Sequence, residues 1–124
     1  MPRAPAPTPQ RILLLDDDPG VRRALHLMLR AHGFDVRSHE SPVLLLADPA
    51  VAEAAFLIAD YRLPVSNGIE VLGALRDAGW QGRAILITGI AAAALREEAL
   101  AAGYATVLEK PLRAHDVLHA LGSE

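Results

Sequence analysis

Residues 12–19 read Ile12-Leu13-Leu14-Leu15-Asp16-Asp17-Asp18-Pro19. Four apolar residues run straight into three carboxylates and a proline. A short apolar run closed by turn residues reads as a strand buried on both faces, as in a parallel sheet. Three further runs end on reactive side chains: Phe56-Leu57-Ile58-Ala59 stops at Asp60, Ala84-Ile85-Leu86-Ile87 stops at Thr88, and Thr106-Val107-Leu108 leads into Glu109-Lys110-Pro111. Open α/β sheets bind ligands just beyond the carboxyl ends of their strands. The pattern therefore predicts that the acids, the hydroxyl and the ammonium converge at one edge.

Helical patterns fill the gaps. Pro19 suits a first helical turn, after which Val21, Leu25, Met28 and Leu29 recur at helical spacing and Gly33 supplies a stop. Arg22, Arg23, His26 and Arg30 fall largely on the other side, a solvated face or a docking face for a partner. Phe34 to Ser38 is a weakly patterned strand expected near a sheet edge. Ser41-Pro42 caps a short helix over Val43 to Ala47 that falters at Asp48-Pro49. Leu63 to Gly68 reads as a loop. Ile69, Leu72 and Leu75 mark a helix ending near Gly79, Ala91 to Ala102 an Ala-rich helix closed by Gly103, and Ala114 to Leu121 the last. Five βα units predict one parallel sheet with helices on both faces.

The bulk numbers agree with one domain. The chain has 124 residues, 52% of them hydrophobic and 4% aromatic, so its core is aliphatic. A formal net charge of -3 gives no bulk attraction to nucleic acid or to an anionic membrane. The absence of cysteine excludes disulfides, thiolate catalysis and Cys-based zinc sites. No apolar stretch approaches the ~20 residues of a membrane span, and the N-terminus lacks the apolar core of a secretion signal, so the expected location is cytoplasmic. Residues 1–10, with alternating proline, read as a disordered leader, residues 11–121 as the domain and 122–124 as a tail.

If the first and third strands lie side by side, Asp16, Asp17 and Asp60 crowd together. Two unit charges 4 Å apart repel by about 4 kcal/mol at an effective dielectric near 20, so such a cluster implies a divalent cation. Oxygen-only ligands favour Mg2+ or Mn2+ over zinc. Lys110 is a mobile charge suited to phosphate, and Thr88 a hydroxyl donor. Phosphoryl transfer needs mainly this positioning and charge neutralisation, and a carboxylate can itself form an acyl phosphate. Asp60, alone at its strand end, suits the nucleophile; the Asp16-Asp17 pair suits the metal. His115 and His119 sit four apart, as helical metal ligands would, but no acid joins them in sequence and a solvent-facing pair is expected.

The segments LLLDDDP at 13–19, LIADYRLPVSNG at 57–68, ILITG at 85–89 and LEKPL at 108–112 occur in this order across residues 11–121. With them the chain resembles the receiver domain of two-component response regulators. The resemblance implies a flavodoxin-like (βα)5 fold with strand order 2-1-3-4-5. It implies phosphorylation of Asp60 by a sensor histidine kinase or phosphotransfer protein, with Mg2+ held by Asp17, by Asp16 through water, by Asp60 and by the Arg62 backbone carbonyl. Thr88 and Lys110 sense the phosphoryl group, Asp18 stands aside, and the Lys110-Pro111 peptide is expected cis. Output passes to a partner or output domain through residues 90–121, without direct contact to nucleic acid or membrane by this domain. Such a receiver is a signalling protein, catalysing only its own phosphorylation and dephosphorylation.

The chain departs from the family pattern in two respects. Many receivers carry Tyr or Phe three residues before the lysine, where this chain has Val107; Tyr104 lies nearby in a different register. A backbone shift of the fourth loop and helix is expected in place of an aromatic rotamer switch. Arg62 and Ile90 flank the phosphoryl position and are expected to limit attacking water. A haloacid-dehalogenase-type enzyme shares the strand-then-acid motif, but Pro19-Gly20 and the short chain speak against it. A binding-only receiver is opposed by retention of the side chains expected for phosphorylation, Asp16, Asp17, Asp60, Thr88 and Lys110, and no GxGxxG or Walker-A loop follows the first strand. The sequence fits a stand-alone receiver or one excised from a larger regulator or hybrid kinase.

Overall fold

In a computed structural model, which describes residues 8–122, the apolar runs form one five-stranded parallel sheet. In chain order the elements are β1 (Arg11–Leu15), α1 (Pro19–Ala31), β2 (Asp35–His39), α2 (Pro42–Leu46), a 3-10 turn (Pro49–Glu53) and β3 (Phe56–Asp60). There follow β4 (Arg62–Leu63), β5 (Ser66–Asn67), α3 (Gly68–Asp77), β6 (Arg83–Thr88), α4 (Ala93–Ala102), β7 (Thr106–Glu109) and α5 (Ala114–Ala120). The sheet order is β2-β1-β3-β6-β7. It equals the expected 2-1-3-4-5 once β4 and β5, a two-residue antiparallel ladder, are counted apart. That ladder lies where a plain loop was expected. Most of the expected leader, residues 1–7, lies outside the described residues, as do 123–124 of the tail.

Alternation along each strand builds two cores. Leu13, Leu15, Leu57, Ala59 and Leu86 face a cluster that includes Leu45 of α2, Leu72 of α3 and Ala99 of α4. Ile12, Leu14, Ile58, Ile85 and Ile87 face Leu25 and Leu29 of α1 and Val117 of α5. Both faces of each central strand are thus dry, which is why the runs are continuous rather than alternating. A fully buried Leu or Ile contributes about 1.5–3 kcal/mol, and Leu57→Ala, in the middle strand, costs about 2–5 kcal/mol.

Registry levels the functional ends. Leu15 lies opposite both His39 and Ala59, Asp60 opposite Ile87, and Thr88 opposite Glu109. Strand β3 runs one residue further than expected, to Asp60, because the ladder continues through a bond from Tyr61 N–H to the Ile87 carbonyl at 2.8 Å. Asp18 accepts from Gly20 and Val21 N–H to cap α1. Asn67 caps α3 through Glu70 N–H at 2.9 Å. Helix α4 has no side-chain cap at its start.

Candidate functional site

The carboxyl ends of β1, β3, β6 and β7 bring Asp16, Asp60, Thr88 and Lys110 to one place. Asp16 is fully buried, and Asp60 and Thr88 are 6% and 4% exposed. Lys110 Nζ donates to Asp60 Oδ2 at 3.0 Å and lies 3.1 Å from Asp16 Oδ2. Ligand oxygens of Asp16, Asp17 and Asp60 all lie within 4.8 Å of one another, the only such trio of acidic, His or Cys residues among the described residues. A cleft of about 470 Å³ opens beside Asp60, lined also by Arg62, Thr88, Ile90 and Lys110.

Asp18, set aside in the sequence reading, acts through its backbone: its N–H donates to Asp16 Oδ1 at 2.9 Å. Asp16 Oδ2 is buried without a properly angled hydrogen bond; among the described residues, the Lys110 ammonium 3.1 Å away compensates its charge. A buried carboxylate oxygen left in that condition suits a hard cation, and three carboxylates supply oxygen donors of the right kind. The cluster therefore fits a divalent metal. Burial pushes the Asp60 pKa up, opposed by the hydrogen bond from Lys110 and helped by the charge of Asp16. For Lys110, burial works against the ammonium, but the hydrogen bonds and charges of Asp60 and Asp16 outweigh it and raise its pKa.

The Thr88 hydroxyl is turned onto its own loop, donating to the Ile90 carbonyl at 3.2 Å and accepting from Ile90 N–H at 3.3 Å. It lines the cleft without bonding Asp60. Arg62 begins β4 at the cleft edge with an exposed side chain. The Lys110-Pro111 peptide is cis, as expected. Val107 and Tyr104 are both buried in the α3–α4 core. His115 and His119 are exposed on α5 with rings stacked 6.4 Å apart.

Three further contributors escaped the sequence reading. Gly68 passes so close to β3 that an added Cβ would stand 2.6 Å from the Asp60 carbonyl oxygen and 2.7 Å from Leu86 Cδ1; its only signal was a glycine closing LPVSNG. Arg22, read as part of a cationic face, instead donates to the Asp16 carbonyl at 2.7 Å. Glu109, beside the lysine, accepts from Ala91 N–H at 2.8 Å and ties the loop after Thr88 to β7.

The model of the response regulator receiver domain matches residues 12–122. The chain belongs to the response regulator receiver family. It is 32% identical over 114 residues to the transcriptional regulatory protein FixJ of Rhizobium meliloti, covering 92% of this chain and 56% of that protein. Identity to the photosynthetic apparatus regulatory protein RegA of Cereibacter sphaeroides is also 32%, over 113 residues, covering 89% of this chain and 60% of that protein. The receiver thus spans about half the length of the curated relatives it matches. In fold it is similar to the chemotaxis protein CheY4 of Vibrio cholerae, with a TM-score of 0.86, 23% identity, and coverage of 92% of this chain and 97% of that one. Membership places the receiver in two-component signalling. Among the described residues no helix is long and apolar enough to cross a membrane.

Proposed function

We propose that the receiver accepts a phosphoryl group on Asp60 from a phosphohistidine of a sensor histidine kinase or phosphotransfer protein. The observation that carries this reading is a buried strand-end carboxylate held 3.0 Å from Lys110 beside two further carboxylates and an open cleft. An Asp60 oxygen attacks phosphorus, the O–P bond forms as the P–N bond breaks, and the imidazole leaves and takes up a proton. Asp17, Asp16 and Asp60, with the Arg62 backbone carbonyl, would hold Mg2+. Bound there, the cation would offset charge on the transferring oxygens. Lys110 neutralises the phosphoryl anion from the other side.

Thr88 then trades its Ile90 contacts for the new anion. Residues 89–92, which enter α4 without a side-chain cap and are tied to β7 through Glu109, are the segment that follows. The altered face, residues 90–121, signals to a partner or to an output domain in the cytoplasm. Beyond its own phosphorylation and hydrolysis the receiver carries out no catalysis. The unit that does this is residues 11–121.

Acetyl phosphate with Mg2+ tests the reading. Intact mass should show one phosphoryl adduct, absent in Asp60→Asn and in excess EDTA. No adduct from acetyl phosphate or from a sensor kinase would instead make the chain a binding-only receiver. The kinase-facing surface is tested separately at Arg23, which is exposed on α1, rather than at Arg22, which braces the Asp16 carbonyl. Arg23→Glu should slow transfer from the cognate kinase and leave acetyl phosphate labelling unchanged; equal slowing of both would remove α1 as the docking face.

A further inference from the structure

The buried phenol of Tyr104 is used by nothing described so far. Its oxygen donates to the Gly68 carbonyl at 2.6 Å, a bond spanning 36 positions and closed off from solvent. Tyr104 is 3% exposed and packs in one cluster with Leu72, Leu86, Ala99 and Val107. Its backbone N–H donates to the Ala99 carbonyl at the end of α4, and the next residue, Ala105, donates to Ala84 of β6. One end of this side chain is therefore anchored where α4 passes into β7.

The other end grips the start of α3. Gly68 N–H donates to the Tyr61 carbonyl at 2.9 Å, and Gly68 leaves no room for a Cβ against the Asp60 carbonyl. Any drift of Gly68 is transmitted to Asp60 and Tyr61. Burial also pushes the Tyr104 pKa upward, so the phenol remains a donor at every working pH.

We propose that Tyr104 is a positioning residue: its hydroxyl tethers the α3 start and so holds the Asp60 backbone in line with Lys110 and the metal-binding carboxylates. An aromatic thus lies six residues before the lysine in sequence, as a fixed strut between α4–β7 and α3. The small Val107 next to it leaves the core filled without a ring that swings. The consequence for phosphoryl acceptance rests on the function proposed above; the tether itself does not.

Two variants of the full chain separate the tether from bulk stability. Tyr104→Phe deletes one hydroxyl. Ile85→Val trims one methylene from the opposite core, at a similar global cost and without touching Gly68. Amide exchange at Gly68 should quicken about fivefold in Tyr104→Phe, the factor a typical net hydrogen bond is worth, and should do so beyond any change in Ile85→Val. The initial rate of labelling by acetyl phosphate with Mg2+ should fall severalfold in Tyr104→Phe alone. Exchange at Gly68 that is unchanged, or quickened equally by Ile85→Val, overturns the tether. Faster exchange with unaltered labelling overturns its positioning of Asp60. A wild type that takes no label would defeat the phosphoacceptor reading, and the exchange comparison would still decide the tether.

Discussion

Removing one negative charge from the acidic cluster should stabilise the receiver when no divalent cation is bound. Asp60→Asn is the perturbation. Like charges up to 4.8 Å away repel Asp60 by about 3.5 kcal/mol each at an effective dielectric near 20, while Lys110 at 3.0 Å returns about 5.5 kcal/mol. Asp17 is exposed, so solvent screens much of its share, while burial of Asp60 adds to the cost. The balance is a net penalty of about 1–2 kcal/mol on ionised Asp60. For a domain of this size that corresponds to a rise in Tm of about 4–8 °C in the variant. The folded-state pKa of Asp60 is raised above its unfolded value, so the folded form binds the proton more tightly. Wild-type stability should therefore increase as pH falls through that raised pKa toward the ordinary carboxylate value, and Asp60→Asn should lack this component. Thermal melts in EDTA across pH read both effects, and added Mg2+ should narrow the gap by stabilising wild type more than the variant. A variant that melts below wild type in EDTA, or an identical pH dependence in both, would refute the electrostatic account.

Other outcomes follow from local geometry. Val65 sits at φ +61° and is fully exposed at the tip of the β4–β5 ladder, so Val65→Asn, better suited to that region, should stabilise by about 1 kcal/mol in a denaturant titration. Gly68→Ala must displace the Asp60 carbonyl or Leu86, and should cost about 1–3 kcal/mol while slowing acetyl phosphate labelling by up to about 100-fold. Arg62→Ala with Ile90→Ala opens the cleft beside Asp60, and loss of the phosphoryl label followed by mass should quicken severalfold; an unchanged lifetime would mean that these side chains do not shield the site.

The parts of the site fixed by strand ends were legible, because a buried parallel strand has to be a short apolar run and whatever follows it has to emerge at the sheet edge. That logic alone predicts that Asp16, Asp60, Thr88 and Lys110 meet at the sheet edge. Contacts made by backbone groups were not legible. Nothing in the letters says that Arg22 braces a carbonyl, that Asp18 N–H bonds Asp16, or that Gly68 touches the Asp60 backbone, since each depends on loop paths that residue identity barely constrains. The same holds for the β4–β5 ladder, whose two paired positions per strand carry no periodicity to detect. Tyr104 lies three residues before the position where an aromatic was expected, and only the folded core reveals that its hydroxyl reaches α3.

The proposed acyl phosphate forms on an Asp60 oxygen. An acyl phosphate is reduced by borohydride to an alcohol, so the phosphorylated aspartate becomes homoserine, which peptide mass mapping locates. After acetyl phosphate and Mg2+, the account predicts homoserine at position 60 and intact aspartate at Asp16, Asp17 and Asp18. Homoserine at any of those three positions, or none anywhere in a labelled chain, would contradict it.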